Sequence, residues 1–225
     1  MTPVNALKKI QLFSSLSDRD CERLSQLLRL QTLHKGEVLF RRGDEGTTLY
    51  MILSGQIKIS VSRRTNQMTL AILGRGEFLG EMALLDGLPR SADAIALEEC
   101  FLYALNRKDF LSFLKTSEHA IPAVLSALSM RLRKTDNQLT EMCFLNVPAR
   151  LDKKLVELIE SRPADVKDHS DHILTISQNE LGHLVGVSRE SINKALKSLR
   201  KKGILSTSRN TIRIHKLDLL KQRLR

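Results

Sequence analysis

The sequence predicts an α+β protein: a β-sandwich or closed roll, then a long helix, then a smaller unit of short helices and strands. Three observations predict this order. Eight of the 11 glycines lie within residues 36–87, where they separate short apolar segments. Apolar residues then recur at heptad spacing over residues 121–142. Two capped helical segments and two short alternating segments complete the chain, and strands followed by helices are typical of α+β folds.

The composition predicts a folded chain with a hydrophobic core. The chain has 225 residues, of which 42% are hydrophobic and 27% charged, proportions that are usual for globular proteins. This length suits one large domain or two modest ones. No apolar run approaches the roughly 18 residues that span a bilayer, and the first residues lack an apolar signal core. We therefore expect a soluble, cytoplasmic protein without a membrane partner.

Basic residues are concentrated towards the C-terminal end. The whole chain has a net charge of +11, of which residues 1–145 contribute +3 and residues 146–225 contribute +8. Residues 177–225 alone hold 12 basic and 3 acidic side chains. A local excess of this size favours a polyanionic partner, although a solvated basic surface gives the same count.

Short strands account for the glycine-rich region. The segments EVLF, TLYMILSGQIKISVS and MTLAILG are separated by turn sequences such as RRGDEG and GRGE. Many short strands with such turns predict a sandwich or a closed roll. Before them, Ser17 begins a helix as its N-cap, and Cys21, Leu24, Leu27 and Leu28 follow on one helical face.

A heptad stripe follows the strands. It consists of Ile121, Leu125, Leu128, Leu132, Thr135, Leu139 and Met142. A period of 3.5 residues favours a coiled-coil seam on a helix of about two dozen residues, and so a homodimer. The alternative is an amphipathic helix that packs on its own roll. Thr135 is a polar position in the seam, near Arg131, Arg133 and Asp136, and such a position is kept for register or for a ligand.

The C-terminal region predicts a winged helix–turn–helix. Ser177 and Glu180 form a capping box ahead of an apolar helix that ends at Gly186, and Ser188 caps a second helix. Two short helices joined by a glycine turn are a helix–turn–helix. The segment ILSTSRNTIRIH then predicts two short strands with basic flanks, which form the wing.

The second helix presents groups that read DNA. Its outward side carries Arg189, Glu190, Asn193, Lys194 and Lys197. Arginine pairs with guanine O6 and N7, glutamate accepts from the cytosine N4 amine, and residues near the start of such a helix meet base edges in the major groove. Ser188 and the helix N-terminal amides suit a backbone phosphate. These features favour a role in binding duplex DNA over a role in packing alone for this helix pair.

A third motif suits a phosphorylated sugar. Residues 76–92 read GEFLGEMALLDGLPRSA. The Arg90 guanidinium can pair with phosphate oxygens, amides around Gly80 and Ser91 add donors, and the Glu81 carboxylate can accept from a ribose hydroxyl. Taken alone, this spacing is weak and more often marks a surface ion pair.

Nearly all of residues 7–215 resembles the cyclic AMP receptor protein and FNR family of bacterial transcription regulators. The segment FLGEMALLDGLPRSA at 78–92 resembles the phosphate-binding cassette of cyclic-nucleotide-binding domains. The segment LGHLVGVSRESINKALKSL at 181–199 resembles the family's helix–turn–helix. The resemblance implies a cyclic-nucleotide-binding β-roll (jelly roll) over 1–118, a dimerisation helix over 119–145 and a winged helix–turn–helix over 146–225.

The resemblance also implies a role for particular residues. Gly80 and Glu81 would hold the ribose, and Arg90 and Ser91 the cyclic phosphate. The full set implied for the effector is Gly80, Glu81, Met82, Arg90, Ser91, Ala92, Arg131, Thr135 and Asp136. The set implied for DNA is Gln178, Ser188, Arg189, Glu190, Asn193, Lys194 and Lys197.

Two positions depart from the receptor protein. Thr135 matches the threonine that contacts adenine there, but Asp136 replaces a serine. Its carboxylate suits the adenine amine and also the two adjacent N–H donors of guanine, so we expect cyclic AMP as effector, with cyclic GMP left open. Lys194 replaces an arginine and supplies a point charge instead of a bidentate fork. We expect a half-site related to TGTGA, with weaker discrimination at the base that Lys194 meets.

The hypothesis is an allosteric homodimer. An enzyme is not expected, because no nucleophile–base set appears. Bound nucleotide would change the register of the paired helices and so set the two winged domains about 34 Å apart, as successive major grooves require. The resemblance adds RNA polymerase as a candidate partner of the loop at 164–172. Two alternatives stay open: a regulator of the same family with another effector or none, and a cyclic-nucleotide-binding regulatory subunit of a partner protein.

Neither metal nor haem is expected. Cys21, Cys100 and Cys143 are too few and too scattered for a disulfide framework or a four-cysteine iron–sulfur cluster. No histidine is placed convincingly as a haem ligand. His169 and His172 have a spacing that can bind metal, but they lie in a polar stretch typical of a solvated loop.

Overall fold

The computed structural model describes residues 3–63, 66–160 and 172–224. The chain divides into two compact units, Met1–Lys134 and Thr135–Arg225. In the described residues, no helix is both long enough and apolar enough to cross a membrane.

The first unit combines short strands with a few helices. Its strands are β1 (Arg29–Leu33), β2 (Val38–Phe40), β3 (Thr48–Ser54), β4 (Ile57–Arg63), β5 (Asn66–Leu73), β6 (Phe78–Leu79), β7 (Asp93–Ala96) and β8 (Cys100–Asn106). Its helices are α1 (Pro3–Leu7), α2 (Asp18–Ser25), α3 (Glu81–Asp86), α4 (Arg107–Thr116) and the first part of α5 (Ala120–Phe144), with a 3₁₀ turn at Gln11–Phe13. The Ser17 N-cap is confirmed, because its side chain accepts from the Asp20 amide.

The strands form two antiparallel sheets, ordered β1-β8-β3-β6 and β2-β7-β4-β5. Side chains from both sheets, such as Ile52 and Leu102 on one and Ile57 and Ala94 on the other, meet in a shared core. Gly55 joins β3 to β4 at a φ of +87°, which L side chains rarely adopt. The sequence prediction of a roll is therefore confirmed.

A second core lies on the outer face of the first sheet. Leu49 and Met51 of β3 point away from the sheet interior and pack against helices. Along β3, Tyr50 and Ile52 point the other way, as the two-residue period of a strand requires. Strand β3 is therefore packed on both faces, between the interior of the roll and the helices.

The long helix α5 packs on the roll through small residues. Its side chains in this core are Ala120, Ala123, Val124 and Ala127. Members of the heptad stripe are exposed instead: Ile121, Leu125, Leu132, Leu139 and Met142. Leu128, another member of the stripe, is partly buried and packs against this core. The helix therefore packs on the roll mainly through a neighbouring face, and most of the stripe lies on the surface of the single chain.

The second unit has its own core. Beyond the end of α5 it contains α6 (Val147–Glu160), β9 (His172–Thr175), α7 (Gln178–Val185), α8 (Arg189–Lys201), β10 (Leu205–Ser208), β11 (Thr211–Ile214) and α9 (Leu217–Gln222). The strands form an antiparallel sheet in the order β10-β11-β9. Apolar side chains of α6, α7, α8 and α9 pack with those of the sheet. The predicted two-stranded wing is confirmed, and β9 adds a third strand that the sequence did not reveal.

Candidate functional site

A glycine turn opens the candidate effector site. Gly80 is the N-cap of α3 and has a φ of +87°. A Cβ atom here would overlap Arg90 Nη1 and lie 2.9 Å from the Thr48 carbonyl oxygen. Only glycine therefore permits both the backbone conformation and this close approach. Glu81 follows as the first residue of α3, and its side chain is only 2% exposed.

Arg90 is held on several sides. Its Nη1 donates to the Gly80 carbonyl oxygen at 2.8 Å, and its Nη2 donates to the Thr48 carbonyl oxygen at 2.7 Å. The guanidinium carbon lies 4.3 Å from the centre of the Phe40 ring and 5.8 Å from that of Tyr50. Arg90 is 5% exposed. Burial lowers the pKa of Arg90, while the nearby Tyr50, Glu81 and Asp44 oppose this shift.

Arg131 of α5 reaches the same site within the first unit. Its Nη1 donates to Glu81 Oε1 at 2.5 Å, and its Nη2 donates to the Phe78 carbonyl oxygen at 2.6 Å. Its guanidinium carbon lies 4.4 Å from the centre of the Phe78 ring. This ion pair neutralises a buried carboxylate that would otherwise be costly to keep ionised.

Two buried polar atoms at this site have no hydrogen-bond partner among the described residues. They are Glu81 Oε2, an acceptor, and Arg90 Nε, a donor. Buried polar groups are paired in the great majority of folded proteins, so each such atom calls for an explanation. A ligand that carries both a hydroxyl group and an anionic oxygen would satisfy both atoms.

Of the other residues predicted for the effector, three belong to the first unit and two belong to the second. Ser91 is exposed, with its Oγ 3.8 Å from the Met82 sulfur. Met82 is half exposed and Ala92 is buried. Thr135 and Asp136 lie on α5 after Arg131, at the start of the second unit, and both are exposed.

Sequence reasoning missed the aromatic and main-chain parts of this site. Phe40, Tyr50 and Phe78 contact the two arginines through their rings. Thr48 and Phe78 accept through main-chain oxygens. In the sequence these residues are ordinary members of apolar strands, and a main-chain acceptor leaves no trace in residue identity.

The predicted helix–turn–helix is confirmed. The capping box at Ser177 and Glu180 has both of its hydrogen bonds, and Gly186, with a φ of +74°, is the C-cap of α7. The Val187 amide donates to the Gly182 carbonyl oxygen at 3.0 Å. A Cβ atom at Gly182 would lie 2.9 Å from the Val187 oxygen, so glycine is needed for the tight turn. Ser188 caps α8 by accepting from the Ser191 amide at 3.3 Å.

Helix α8 has a buried apolar side and a basic outer side. Its buried residues are Ile192, Ala195, Leu196 and Leu199. Arg189, Glu190, Lys194 and Lys197 are exposed, and Asn193 is half-buried. Gln178, also half-buried, is the first residue of α7. Helix α8 therefore carries four of the predicted DNA-contacting groups on its exposed side, whereas Gln178 belongs to α7.

The wing is tied to this helix. Arg200 Nη1 donates to Thr207 Oγ1 of β10 at 3.2 Å. Strands β10 and β11 are joined by a turn in which Asn210 has a φ of +55°. Asparagine is among the residues that tolerate this left-handed conformation best. The exposed Arg209 precedes it, so the turn carries a basic side chain.

The His169–His172 pair, for which no metal was expected, and the candidate polymerase loop fall mostly on residues that are not described. His169 and nearly all of the 164–172 loop lie outside the described residues. Within residues 3–63, 66–160 and 172–224, no cluster of three or more His, Cys, Asp or Glu side chains is arranged to hold a metal ion.

The class that the fold and the two candidate sites define is a DNA-binding protein with a separate ligand-binding domain. Two family models match the chain. Residues 30–117 match the cyclic nucleotide-binding domain, and residues 149–223 match the Crp-like helix-turn-helix domain. The chain belongs to the cyclic AMP receptor protein and FNR family, and it is a cyclic-nucleotide-binding, DNA-binding transcription regulator.

Relatives match over almost the whole chain. The cyclic AMP receptor protein of Thermus thermophilus is 29% identical over 217 residues, which are 96% of this chain and 97% of that protein. The CRP-like cAMP-activated global transcriptional regulator of Mycobacterium tuberculosis is 28% identical over 222 residues, 97% of this chain and 98% of that protein. The structure of the c-di-GMP responsive global regulator CLP of Xanthomonas campestris is similar, with a TM-score of 0.78, 27% identity and coverage of 88% and 99%.

Proposed function

We propose that the protein is a cytoplasmic, homodimeric transcription regulator whose affinity for DNA is controlled by cyclic AMP. The observation that carries this proposal is a pair of buried atoms in the roll, Glu81 Oε2 and Arg90 Nε, for which the described part of the chain provides no hydrogen-bond partner. The two atoms call for a ligand with a donor and an anionic acceptor, and a cyclic nucleotide has both in its ribose hydroxyl and its cyclic phosphate.

The chain supplies the chemistry that each part of the ligand needs. Arg90 pairs with the negative charge of the cyclic phosphate, and Ser91 adds a hydroxyl donor. Glu81 accepts from the ribose hydroxyl through Oε2 while Oε1 stays bonded to Arg131. Because these charges lie in a water-poor site, their interaction with the ligand is stronger than it would be on the surface.

Thr135 and Asp136 are the residues that we assign to the base. Threonine favours adenine by the family resemblance, and two relatives are named for cyclic AMP. The Asp136 carboxylate also suits guanine, and the CLP structure belongs to a c-di-GMP responsive protein. The relative affinities for these nucleotides are therefore the first quantities to measure.

Isothermal titration calorimetry of protein freed of co-purifying nucleotide tests the effector. Cyclic AMP, cyclic GMP and c-di-GMP are titrated under one set of conditions, and cyclic AMP is expected to bind most tightly. Mass spectrometry of the ligand extracted from purified protein provides an independent check. Tighter binding of cyclic GMP or c-di-GMP overturns the choice of cyclic AMP, and no binding of either cyclic mononucleotide overturns the effector site.

The exposed stripe of α5 supports the homodimer. Leu125, Leu132 and Leu139 are each at least 60% exposed in the single chain, although they lie at heptad spacing. A second copy of the same helix would bury them in a coiled-coil seam. In sedimentation experiments, Leu132→Lys is expected to give monomers. Asn137→Lys, an exposed position of the same helix outside the stripe, is the control and should stay dimeric.

Allosteric control requires that cyclic AMP bind the DNA-competent arrangement of the dimer more tightly than the other. DNA fragments with paired half-sites related to TGTGA should then bind more tightly when cyclic AMP is present. By linkage, the same DNA should raise the affinity for cyclic AMP by the same factor. Equal DNA affinity with and without the nucleotide would remove the regulatory part of the proposal.

A further inference from the structure

The segment before β3 encloses the backbone of Arg90. The Gly43 amide donates to the Arg90 carbonyl oxygen at 2.9 Å, and the Arg90 amide donates to the Asp44 carbonyl oxygen at 2.8 Å. The loop is closed by its own turn, because Asp44 Oδ2 accepts from the Arg41 amide at 2.8 Å. Two parallel links therefore fix the backbone of Arg90 to this loop.

The strands on either side of this loop, β2 and β3, contact the Arg90 side chain. The Phe40 ring stacks on the guanidinium, and the Thr48 carbonyl oxygen accepts from Nη2. Together with the bond to Gly80, these contacts use two of the five guanidinium donors and leave Nε without a partner among the described residues. Arg90 is thus oriented by the protein, with donor capacity to spare.

Gly46 lies where this segment approaches both α3 and Arg90. Its φ is not positive, so the backbone conformation does not demand glycine. An added Cβ atom would overlap the Ala83 Cβ of α3 and would lie 3.2 Å from Arg90 Nε and 3.3 Å from Arg90 Cζ. The reason for glycine at this position is therefore close approach, not backbone freedom.

We propose that Gly46 is a positioning residue for the effector: by lacking a side chain, it lets Arg90 keep its bonds to Gly80 and Thr48 and leaves Nε as a donor for the phosphate. The guanidinium has no easy way to move aside, because a shift would cost a hydrogen bond to Gly80 or Thr48 or the contact with Phe40. This inference rests on the proposed role of Arg90 in binding the cyclic phosphate.

Gly46→Ala tests the proposal, with Gly74→Ala as its matched control. Gly74 also has no positive φ, and a Cβ atom there would meet nothing within 4 Å. Because a hydrogen bond to a charged group contributes about 1.5–3 kcal/mol, Gly46→Ala should weaken cyclic AMP binding about 10-fold or more. Gly74→Ala should leave it unchanged. Equal affinities of Gly46→Ala and wild type would overturn the proposal.

A double variant separates the effect of the contact with Ala83 from that of the contact with Arg90. Adding Ala83→Gly to Gly46→Ala removes the overlap with α3 but keeps the contact with Arg90. Relative to the Ala83→Gly single variant, the double variant should have a similar melting temperature without ligand and a weaker affinity for cyclic AMP. Recovery of affinity together with stability would show a structural effect alone and overturn the role in positioning.

A phosphate-specific measurement completes the test. The two phosphorothioate diastereomers of cyclic AMP differ only in which phosphate oxygen is replaced by sulfur, so the ratio of their affinities reports the position of Arg90. Gly46→Ala should change this ratio and Gly74→Ala should not; an unchanged ratio in Gly46→Ala would contradict the proposal.

If wild-type protein binds no cyclic nucleotide, the proposed effector and this inference both fail. If wild type binds and Gly46→Ala matches it, this inference alone fails.

Discussion

Charges are used in opposite ways in the roll and in helix α8. In the roll, Glu81 and Arg90 are almost fully buried, and main-chain oxygens, aromatic rings and an ion pair fix them. On α8, Arg189, Lys194 and Lys197 are exposed. The buried set suits one small anion in one orientation, whereas the exposed set suits a long polyanion.

This difference has an energetic consequence. A buried charge interacts strongly and is screened little by salt, so its loss should be severe and specific. An exposed cation that contacts a phosphate acts through counterion release, and its loss should be gradual and depend on salt. Substitutions in the two regions therefore test the comparison directly.

The largest effect is expected from Arg90→Leu. Removal of the guanidinium takes away the cation and several donors that we assign to the cyclic phosphate. Because each charge-assisted hydrogen bond contributes about 1.5–3 kcal/mol, two such bonds give a loss of at least about 100-fold in affinity. Calorimetry with cyclic AMP measures the loss, and circular dichroism checks that the fold is kept.

Arg29→Leu is the control for this substitution. Arg29 is an exposed arginine of β1 in the same unit, so the net charge changes equally. Its loss should change the affinity for cyclic AMP little. If Arg90→Leu binds as well as Arg29→Leu, the buried arginine has no role in the ligand site.

Arg189→Ala should have the next largest effect, on sequence preference. A bidentate contact with guanine contributes about 1–3 kcal/mol of discrimination, so preference for the target over random DNA should fall roughly 5- to 150-fold. Competition mobility shifts measure this ratio, with a target selected from a random pool by wild-type protein. Salt-dependent binding to random DNA should persist.

Lys197→Ala distinguishes base reading from general attraction. If this lysine contacts a phosphate, its loss weakens binding to target and random DNA alike and lowers the slope of log affinity against log salt by about 1. A preference that survives Arg189→Ala would remove the base-reading assignment. Equal behaviour of the two variants would show that α8 acts through charge alone.

The sequence predicted the parts of this molecule that depend on local signals. Glycine turns, strand alternation and helix caps such as Ser177 and Ser188 act within a few residues, and the structure has all of them. Helix α2 was predicted too long, since Leu27 and Leu28 were placed on its face. The helix ends at Ser25, and Leu27 is exposed.

The interior of the candidate site was not predicted, because its contacts are distant in sequence. The bond from Arg90 to Thr48 joins residues 42 apart, and the bond from Arg131 to Glu81 joins residues 50 apart. The Glu81–Arg90 spacing suggested a surface ion pair, yet both residues are buried and Glu81 bonds to Arg131. Only the packing of β3, β6 and α5 brings these residues together.

The second unit also contains a buried ion pair, so buried charge is not confined to the roll. Asp152 of α6 is 1% exposed, and its Oδ2 accepts from Arg223 Nε at 2.6 Å. Its Oδ1 has no hydrogen-bond partner among the described residues. Burial raises the pKa of Asp152, although Arg223 and Lys202 oppose the shift. The unit that carries the exposed charges of α8 thus also contains a buried carboxylate.

Asp152→Asn is expected to give the smallest effect, visible as a dependence on pH. A carboxyl group with a raised pKa in the folded state stabilises fully below its unfolded pKa of about 3.9, and this contribution is lost as pH rises through the folded value. The asparagine variant does not titrate. Its free energy of unfolding relative to wild type should therefore become more favourable from pH 4 towards neutrality, as measured by urea denaturation at a series of pH values. If the difference in free energy of unfolding stays constant or changes in the opposite direction, Arg223 fully compensates the burial of Asp152. The ion pair of the second unit would then stabilise its buried carboxylate as well as the ion pair of the roll does.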